Sequence, residues 1–235
     1  MIALGNFLFH YRNVLFPVLY LFLFFPSPHV FGSNAAAAAA GLMVIMAGQG
    51  MRIATIGLRY IIRGGSKRCI HARDLVTDGM FAHCRNPLYA GNILILAGLG
   101  LIANSIVFLA FVLPFFLLAY YSIVRAEEDF LLAKFGDDYR DYMRDVNRWF
   151  PRFRGLSETI GSMSFNWRRV VIREYNATFI WMAGAVLLML RNGYIQPDNS
   201  MFRELLPLFY AILAILTVMY GTVRYLKKSK RLRDI

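Results

Sequence analysis

The first residues whose types and spacing could do chemistry are Arg85, Asn86 and Pro87, which come just before an apolar segment. A helix accepts proline most easily in its first turn, so Pro87 predicts a helix start. A helix start leaves backbone N–H groups without partners and carries partial positive charge, to which Arg85 adds a full charge. This combination predicts a seat for a carboxylate or a phosphate. The alternative is a plain helix start whose Arg85 merely extends its guanidinium into water.

A second group is acidic, since Glu127, Glu128 and Asp129 follow directly after another apolar segment. Three acids in a row usually form a solvated surface, which is the alternative here. However, the two apolar segments between Arg85 and Glu127 are parted by only two polar residues, and a tight helical hairpin returns to the side on which it began. We therefore expect the acids to face Arg85 and Asn86. Such a pocket suits a zwitterionic ligand, for example an amino acid moiety.

A third candidate is Arg52, which lies inside an otherwise apolar stretch. A cation inside a membrane span costs about 2.5–3.5 kcal/mol on insertion scales, so it should face the interior of a helix bundle or a polar cavity. The alternative is that Arg52 lies close enough to the end of its span to reach the interface.

Other patterns predict no further site. The histidines lack metal-ligand spacing relative to cysteines or carboxylates, so we expect no metal. The cysteines lie in basic stretches that we expect to face the cytoplasm, where thiols stay reduced, so we expect no disulfide. A glycine pattern typical of dinucleotide sites starts at Gly98, but no strand precedes it. The histidines are His10, His29, His71 and His83, and the cysteines are Cys69 and Cys84.

The composition of the whole chain is that of a membrane protein. Of its 235 residues, 58% are hydrophobic and only 17% are charged, against roughly 45–50% and 25% in soluble domains. The formal net charge of +12 fits loops that face the anionic cytoplasmic surface of a bilayer, and we expect no nucleic-acid partner. The length leaves no room for a separate soluble catalytic domain, so we expect a single membrane domain over residues 1–235.

The apolar segments predict about six transmembrane helices of roughly 20 residues each. A signal peptide is the alternative for the first segment, because a run of small residues follows it. The charged stretch 125–173 has apolar residues at helical spacing and predicts a helix lying along the membrane surface. The predicted spans cover residues 14–31, 35–62, 88–103, 106–124, 175–190 and 205–223.

The basic residues predict the orientation of these spans. Of the 26 Lys and Arg residues, six lie in 59–86, ten in 125–173 and six in 224–235, whereas the intervening connections hold almost none. Because cytoplasmic loops carry the excess of Lys and Arg, these three segments should be cytoplasmic. The prediction is an integral, multi-pass membrane protein with both termini and the site on the cytoplasmic side.

Two motifs in the chain resemble the isoprenylcysteine carboxyl methyltransferase family of integral membrane enzymes and, more distantly, the phospholipid methyltransferases. The first motif starts at Leu75-Val and ends in the run Arg85-Asn-Pro-Leu-Tyr-Ala-Gly91. The second motif is Glu127-Glu-Asp-Phe-Leu-Leu-Ala-Lys-Phe-Gly-Asp-Asp-Tyr-Arg-Asp-Tyr142. Gly48-x-Gly-x-x-Arg52 resembles the helix before the first motif. The likeness covers roughly residues 41–153 in the family's order and spacing, and implies a methyltransferase-like core there.

The resemblance implies an all-α polytopic membrane enzyme with S-adenosylmethionine as its cofactor, bound in a cytoplasmic pocket. Asn86 stands where the family usually has histidine, and its Asn-Pro pair resembles the phospholipid branch. The arginine that eukaryotic carboxyl methyltransferases place about one turn before their acidic run has no counterpart, since that position is near Ile123. By position, the cofactor-binding residues are Val76, Phe81, Asn86, Pro87, Tyr89, Glu127 and Glu128.

The expected activity is methyl transfer to a lipid or another lipophilic small molecule. Carboxyl methylation of a prenylcysteine-like substrate is the first hypothesis, with Arg85 as a catalytic cation and Arg52 as a substrate-binding residue. The alternatives are N- or S-methylation of a phospholipid head group or a small thiol, and a non-catalytic membrane binding protein on the same scaffold. Residues 174–226 form an extra C-terminal helical pair beyond the likeness.

Overall fold

The structure is a computed structural model that describes residues 1–59, 72, 74–195 and 204–232. All regular structure in these residues is helical, as predicted for the all-α class. Short 3₁₀ helices span Leu21–Phe24 and Gly79–Ala82, and a π-helical turn, Phe108–Val112, leads into α4. The α-helices are α1 (Ile2–Tyr20), α2 (Asn34–Leu58), α3 (Pro87–Ile102), α4 (Leu113–Phe135), α5 (Asp137–Asp145), α6 (Leu156–Ser162), α7 (Trp167–Ile195) and α8 (Leu206–Lys228).

Helices α2 and α3 cross with their backbones in direct contact at two levels. Gly48 faces Gly91, and Gly41 faces Gly98. A Cβ atom on Gly48 would lie 2.7 Å from the carbonyl oxygen of Gly91, and one on Gly98 would lie 2.6 Å from that of Gly41. Small residues permit this close approach of helices in a membrane. Helix α3, in which the first motif ends, is therefore held at a fixed backbone separation from α2.

The first helix begins at Ile2, so the predicted start of the first span at residue 14 is wrong. With the 3₁₀ turn that follows, the apolar segment is Ile2–Phe24. It packs on α4, where the backbone of Gly5 lies against the Ser122 carbonyl and the Phe16 ring meets the Tyr120 ring edge-on at 5.3 Å. Arg12 and Asn13 can belong to the span because they line a cavity between helices, which is described below.

The connection between α3 and α4 is as tight as predicted. Asn104 adopts a positive φ of 51°, a conformation that asparagine tolerates better than most residues. Its side-chain oxygen accepts hydrogen bonds from the N–H groups of Val30 and Phe31, at 2.9 and 2.8 Å, and its amide donates to the Phe31 carbonyl. This turn therefore also fixes the chain between α1 and α2.

The charged stretch does not form the single surface helix predicted over residues 125–173. Helix α4 continues to Phe135 and stops at Gly136, whose φ of 55° favours glycine. Helices α5 and α6 follow, and α7 begins at Trp167, well before the predicted residue 175. The apolar residues of the stretch face a small separate core that includes Leu131, Tyr139 and Tyr142.

The predicted number of about six spans is not confirmed. Among the described residues, four helical segments are long and apolar enough to cross a bilayer, namely Ile2–Phe24, Asn34–Leu58, Phe108–Phe135 and Leu206–Lys228. Helix α3 is apolar but has only 16 residues, and α7 has 29 residues but carries several charges. The part of the chain that the structure describes is thus that of a helical membrane protein with four candidate spans.

Candidate active site

Hydrogen bonds join the loop before α3, which carries much of the first motif, to α5 and the segment that follows it, where the second motif ends. The Tyr142 hydroxyl donates to the Phe81 carbonyl at 2.7 Å, and the Arg152 N–H donates to the His83 carbonyl at 3.0 Å. The Arg85 N–H donates to the carbonyl of Asn147 at 2.9 Å. The segment after α5 therefore lies along the loop before α3, and the predicted meeting of the motifs is present in the structure.

Beneath this contact, the Glu128 carboxylate is shared by two arginines. Arg148 donates to it through Nε at 3.0 Å and pairs with it through NH2 at 2.7 Å. Arg85 NH1 lies 3.5 Å from the same carboxylate. Arg85 and Glu128 are buried, at 9% and 6% exposed. Since an unpaired buried charge is costly, this cluster is a strong link between the two motifs.

A cavity of about 640 Å³ opens beside the cluster, a size that suits a small molecule. It is lined by residues of α1, α2, α3, α4 and α7 and combines polar and apolar walls. The predicted residues that line it are Arg52, Phe81, Asn86, Pro87, Tyr89 and Glu127. Its other lining residues are Arg12, Asn13, Phe16, Pro17, Leu88, Asn92, Tyr120, Asn176, Ala177 and Ile180.

The start of α3 forms one wall of this cavity. Asn86 is the residue before the first turn and Pro87 occupies the first turn, as predicted. The Asn86 side chain does not cap the helix but donates through Nδ2 to the Arg148 carbonyl at 3.3 Å. The backbone N–H groups of the first turn therefore have no side-chain acceptor from Asn86. A helix terminus of this kind can bind a carboxylate.

The acidic wall of the cavity is Glu127. Its carboxylate is 6% exposed and accepts a hydrogen bond from the Tyr89 hydroxyl at 2.6 Å. Tyr89 comes from the first turns of α3, so this bond fixes the distance between the donor wall and the acidic wall. The arrangement presents N–H donors and a carboxylate to one space, as a zwitterionic ligand requires.

Arg52 points into the bundle and does not extend to the interface. Its Nε donates to Glu174 Oε2 at 2.9 Å, and its NH2 donates to Glu174 Oε1 at 2.6 Å. Its NH1 donates to the Asn92 side chain. Gln49 extends the network by donating to Thr178 and accepting from the Trp181 ring N–H at 2.8 Å. The network joins α2, α3 and α7 through buried polar groups.

Sequence reasoning missed several residues at this site. Glu174 is the only acid in α7, and Arg52 is the only charged residue in α2. The lone cation of α2 needs a partner inside the bundle, and the one acid of α7 is a candidate for it, a signal that could have identified Glu174. Arg12, Asn13, Asn92 and Asn176 were missed because polar side chains in apolar helices can lie on any face.

Three predicted site residues do not line the cavity. Arg85 and Glu128 lie in the ion-pair cluster behind its wall, and Val76 precedes the 3₁₀ helix that contains Phe81. The cofactor-binding role of Val76 and Glu128 and the catalytic role of Arg85 stay predictions.

Cys84 and His83 are built into the same loop without facing the cavity. Burial raises the pKa of the Cys84 thiol to about 11, against the lowering effects of the Asn86 backbone and the Arg85 charge. The His83 ring bonds to the Arg152 carbonyl at 2.7 Å and to the Thr159 hydroxyl at 2.8 Å. Both side chains are therefore structural, and Cys69 lies outside the described residues.

Comparison with known proteins places the family match on α2, α3 and α4, but not on α1 or α7, which also line the cavity. The phospholipid methyltransferase family matches residues 36–138. The chain is 30% identical to the cobalt-zinc-cadmium resistance protein CzcN of Cupriavidus metallidurans over 162 residues, which are 66% of this chain and 72% of that protein. It is 35% identical to the nickel-cobalt-cadmium resistance protein NccN of Alcaligenes xylosoxydans xylosoxydans over 103 residues, 44% of this chain and 47% of that protein. No solved structure matches the chain.

Proposed function

The chain belongs to the phospholipid methyltransferase family of membrane proteins, and we propose that it transfers a methyl group from S-adenosylmethionine to a lipophilic acceptor. The observation that carries this proposal is the 640 Å³ cavity, in which the uncapped start of α3 and the Glu127 carboxylate face one space. Those two walls fit the carboxylate and the amine of an amino acid moiety. The remaining lining includes the apolar side chains of Phe16, Pro17 and Ile180, which suit an oily acceptor.

The residues of the cavity fit S-adenosylmethionine in size and charge. The volume lies within the usual range of about 300–1,000 Å³ for small-molecule sites. Asn86 and the N–H groups of the α3 start would hold the methionine carboxylate, and Glu127 would hold the amine or the ribose hydroxyls. When bound, S-adenosylmethionine supplies a methyl group on a positively charged sulfur, and a nucleophile can attack the carbon of that methyl group directly.

The protein's own contribution is to orient the two reactants, since alignment alone can supply much of the rate enhancement of a direct displacement. Tyr89 holds Glu127 in place by its hydrogen bond, and the cluster of Glu128 with Arg85 and Arg148 holds the loop that carries Asn86. A carboxylate acceptor is already a nucleophile and needs only a cation to hold it. An amine acceptor must first lose a proton, and Glu127 would be free to accept it only if it holds the ribose hydroxyls and not the cofactor amine.

The relatives do not decide the acceptor class, because their names refer to metal resistance and give no methyl acceptor. We keep the prenylcysteine-like carboxylate and the phospholipid head group as acceptors of this same site. The Asn-Pro sequence at residues 86 and 87 and the family match favour the phospholipid. The carboxylate hypothesis loses Arg52 as a free cation, because Glu174 neutralises it.

Replacing Glu127 by glutamine tests the function and should weaken binding of S-adenosylmethionine at least tenfold. The reason is that losing one partner of a buried hydrogen-bonded charge pair typically costs about 2–5 kcal/mol. Glu128→Gln should mainly lower thermal stability, since Glu128 binds Arg85 and Arg148. Calorimetric titration of the purified protein in detergent with the cofactor measures the affinity.

The matched control for this test is Asp129→Asn, the exposed neighbour in the same acidic run. It should leave cofactor affinity within about twofold of the starting protein. Unchanged affinity in the Glu127→Gln protein would mean that Glu127 does not bind the cofactor. Cofactor binding without any methylation of lipid extracts would favour the non-catalytic binding protein.

We further propose six spans, with α3 and α7 added to the four longer apolar helices, and a cytoplasmic site. The distribution of Lys and Arg supports this orientation. Thiol labelling of intact cells tests it. In a variant without the native cysteines, a membrane-impermeant reagent should label Gly32→Cys but not Ser157→Cys or Ser229→Cys. All three positions are exposed. Labelling at residue 229 from outside would overturn the six-span orientation.

A further inference from the structure

We propose that Arg12, in α1, binds the anionic group of the lipophilic acceptor, so that α1 selects acceptors that carry an oxyanion. The proposal rests on the proposed function, because it assigns the second ligand of the same cavity. The oxyanion could be the phosphate of a phospholipid or the carboxylate of a lipidated cysteine. Arg12 lines the cavity together with Asn13, Phe16 and Glu127.

The position of Arg12 is fixed by the packing of α1 on α4. A Cβ atom on Gly5 would lie only 2.0 Å from the Ser122 carbonyl oxygen, so the two backbones touch there. Further along α1, the Phe16 ring meets the rings of Phe116 and Tyr120 edge-on, at 5.0 and 5.3 Å. These contacts on either side of Arg12 hold α1 against rotation and keep Arg12 on the cavity side.

Arg12 lies near the middle of the apolar segment Ile2–Phe24, where an arginine is costly unless something compensates its charge. Its guanidinium lies 4.1 Å from the centre of the Phe9 ring. Within residues 1–59, 72, 74–195 and 204–232, no carboxylate pairs with it and no acceptor takes a hydrogen bond from it. A cation in a membrane helix that faces a cavity and lacks a counter-ion points to an anionic ligand.

The other arginines near the cavity are already neutralised, which singles out Arg12. Arg52 is paired with Glu174 through two hydrogen bonds, and Arg85 and Arg148 share Glu128. Glu127, which accepts a hydrogen bond from Tyr89, is itself negatively charged and would repel an anionic acceptor. Among the described residues that line the cavity, Arg12 is therefore the cation that remains available to an oxyanion.

The acceptor, and not the cofactor, is the ligand that α1 would reach. The proposed cofactor residues Asn86 and Glu127 lie within residues 36–138, whereas α1 lies outside that match. Next to Arg12 along α1, Tyr11 and Val14 are 48% and 68% exposed and would face lipid in a bilayer. An amphiphile could thus keep its chains among the lipids while its charged head lies at Arg12.

Calorimetric titration of the full chain in uncharged maltoside micelles tests this assignment. One arm compares dioleoyl phosphatidic acid with dioleoylglycerol, and the other compares an N-acetyl S-prenylcysteine with its methyl ester. We expect the protein to prefer the acidic member of at least one pair by tenfold or more. Arg12→Met should abolish that preference, Arg12→Lys should keep most of it, and Arg168→Met, at an exposed arginine, should not change it.

The outcomes separate this proposal from the proposed function. Loss in the phosphate arm identifies a phospholipid acceptor, and loss in the carboxylate arm identifies a lipidated cysteine. An unchanged preference in Arg12→Met, no preference in the starting protein, or an equal loss of S-adenosylmethionine affinity would each overturn the proposal. If the cofactor fails to bind the starting protein while Arg12→Met still loses the preference, the proposed function fails and the oxyanion site stands.

Discussion

Replacing Glu174 by alanine is expected to lower the free energy of unfolding by about 3–5 kcal/mol, because the Arg52 guanidinium would stay buried without its carboxylate. The two side chains are joined by hydrogen bonds of 2.9 and 2.6 Å and are only 11% and 5% exposed. The measurement is denaturant unfolding of the purified protein in a mild detergent. Glu158→Ala, at an exposed glutamate in α6, is the control and should change stability by less than about 0.5 kcal/mol.

Removing both charges should be milder than removing one. The double variant Arg52→Met, Glu174→Leu fills similar space without a charge, and apolar replacement of a whole buried ion pair is often neutral or stabilising. We therefore expect it to recover most of the stability lost in Glu174→Ala. A double variant whose loss equals the sum of the two single losses would show that the pair is not energetically coupled.

The second large effect is expected at the contact between α2 and α3. Gly48→Leu should cost more than about 3 kcal/mol, above the usual range of about 1–3 kcal/mol for overpacking, because the obstacle is backbone. A Cβ there would lie 2.7 Å from the Gly91 carbonyl oxygen, which cannot turn away as a side chain can. The expected result is loss of the monodisperse folded fraction on size-exclusion chromatography and a large fall in unfolding free energy.

Gly50 provides the control, since it lies in the same helix two residues further on. A Cβ at Gly50 would meet nothing within 4 Å. Gly50→Ala should therefore be neutral or stabilise α2 by up to about 1 kcal/mol, through the higher helix propensity of alanine. Equal tolerance of substitution at Gly48 and Gly50 would mean that α2 and α3 do not approach closely.

The positions of the two motifs were more predictable from the sequence than the packing of the helices that complete the site. Pro87 marks the start of α3, and the hairpin brings Glu127 to Tyr89, as hydrophobic pattern and turn chemistry indicated. Both features are local or depend on a single reversal of the chain. The pairing of Arg52 with Glu174 depends on how α7 packs against α2, so its signal appears only when the two helices are compared and not within either one.

The first span was misplaced for a related reason. Hydropathy assumes that every face of a membrane helix meets lipid, so Arg12 and Asn13 seemed to lie before the span. In the structure both residues line the cavity, and only part of the α1 surface needs to be apolar. The break at Gly136 was missed because an apolar pattern at helical spacing continues across it, while the backbone turns at a positive φ.

The pairing of Arg52 with Glu174 also imposes an order on biosynthesis. The two residues are 122 positions apart, so at about 5–20 residues per second the ribosome makes Glu174 roughly 6–24 s after Arg52. Asn92, the other side chain that Arg52 contacts, is only 40 positions away and arrives within roughly 2–8 s. Until α7 is synthesised, α2 must wait in the insertion machinery or the bilayer with an uncompensated guanidinium, and α3 offers it only an amide. Synthesis of α7 thus supplies the carboxylate that neutralises Arg52.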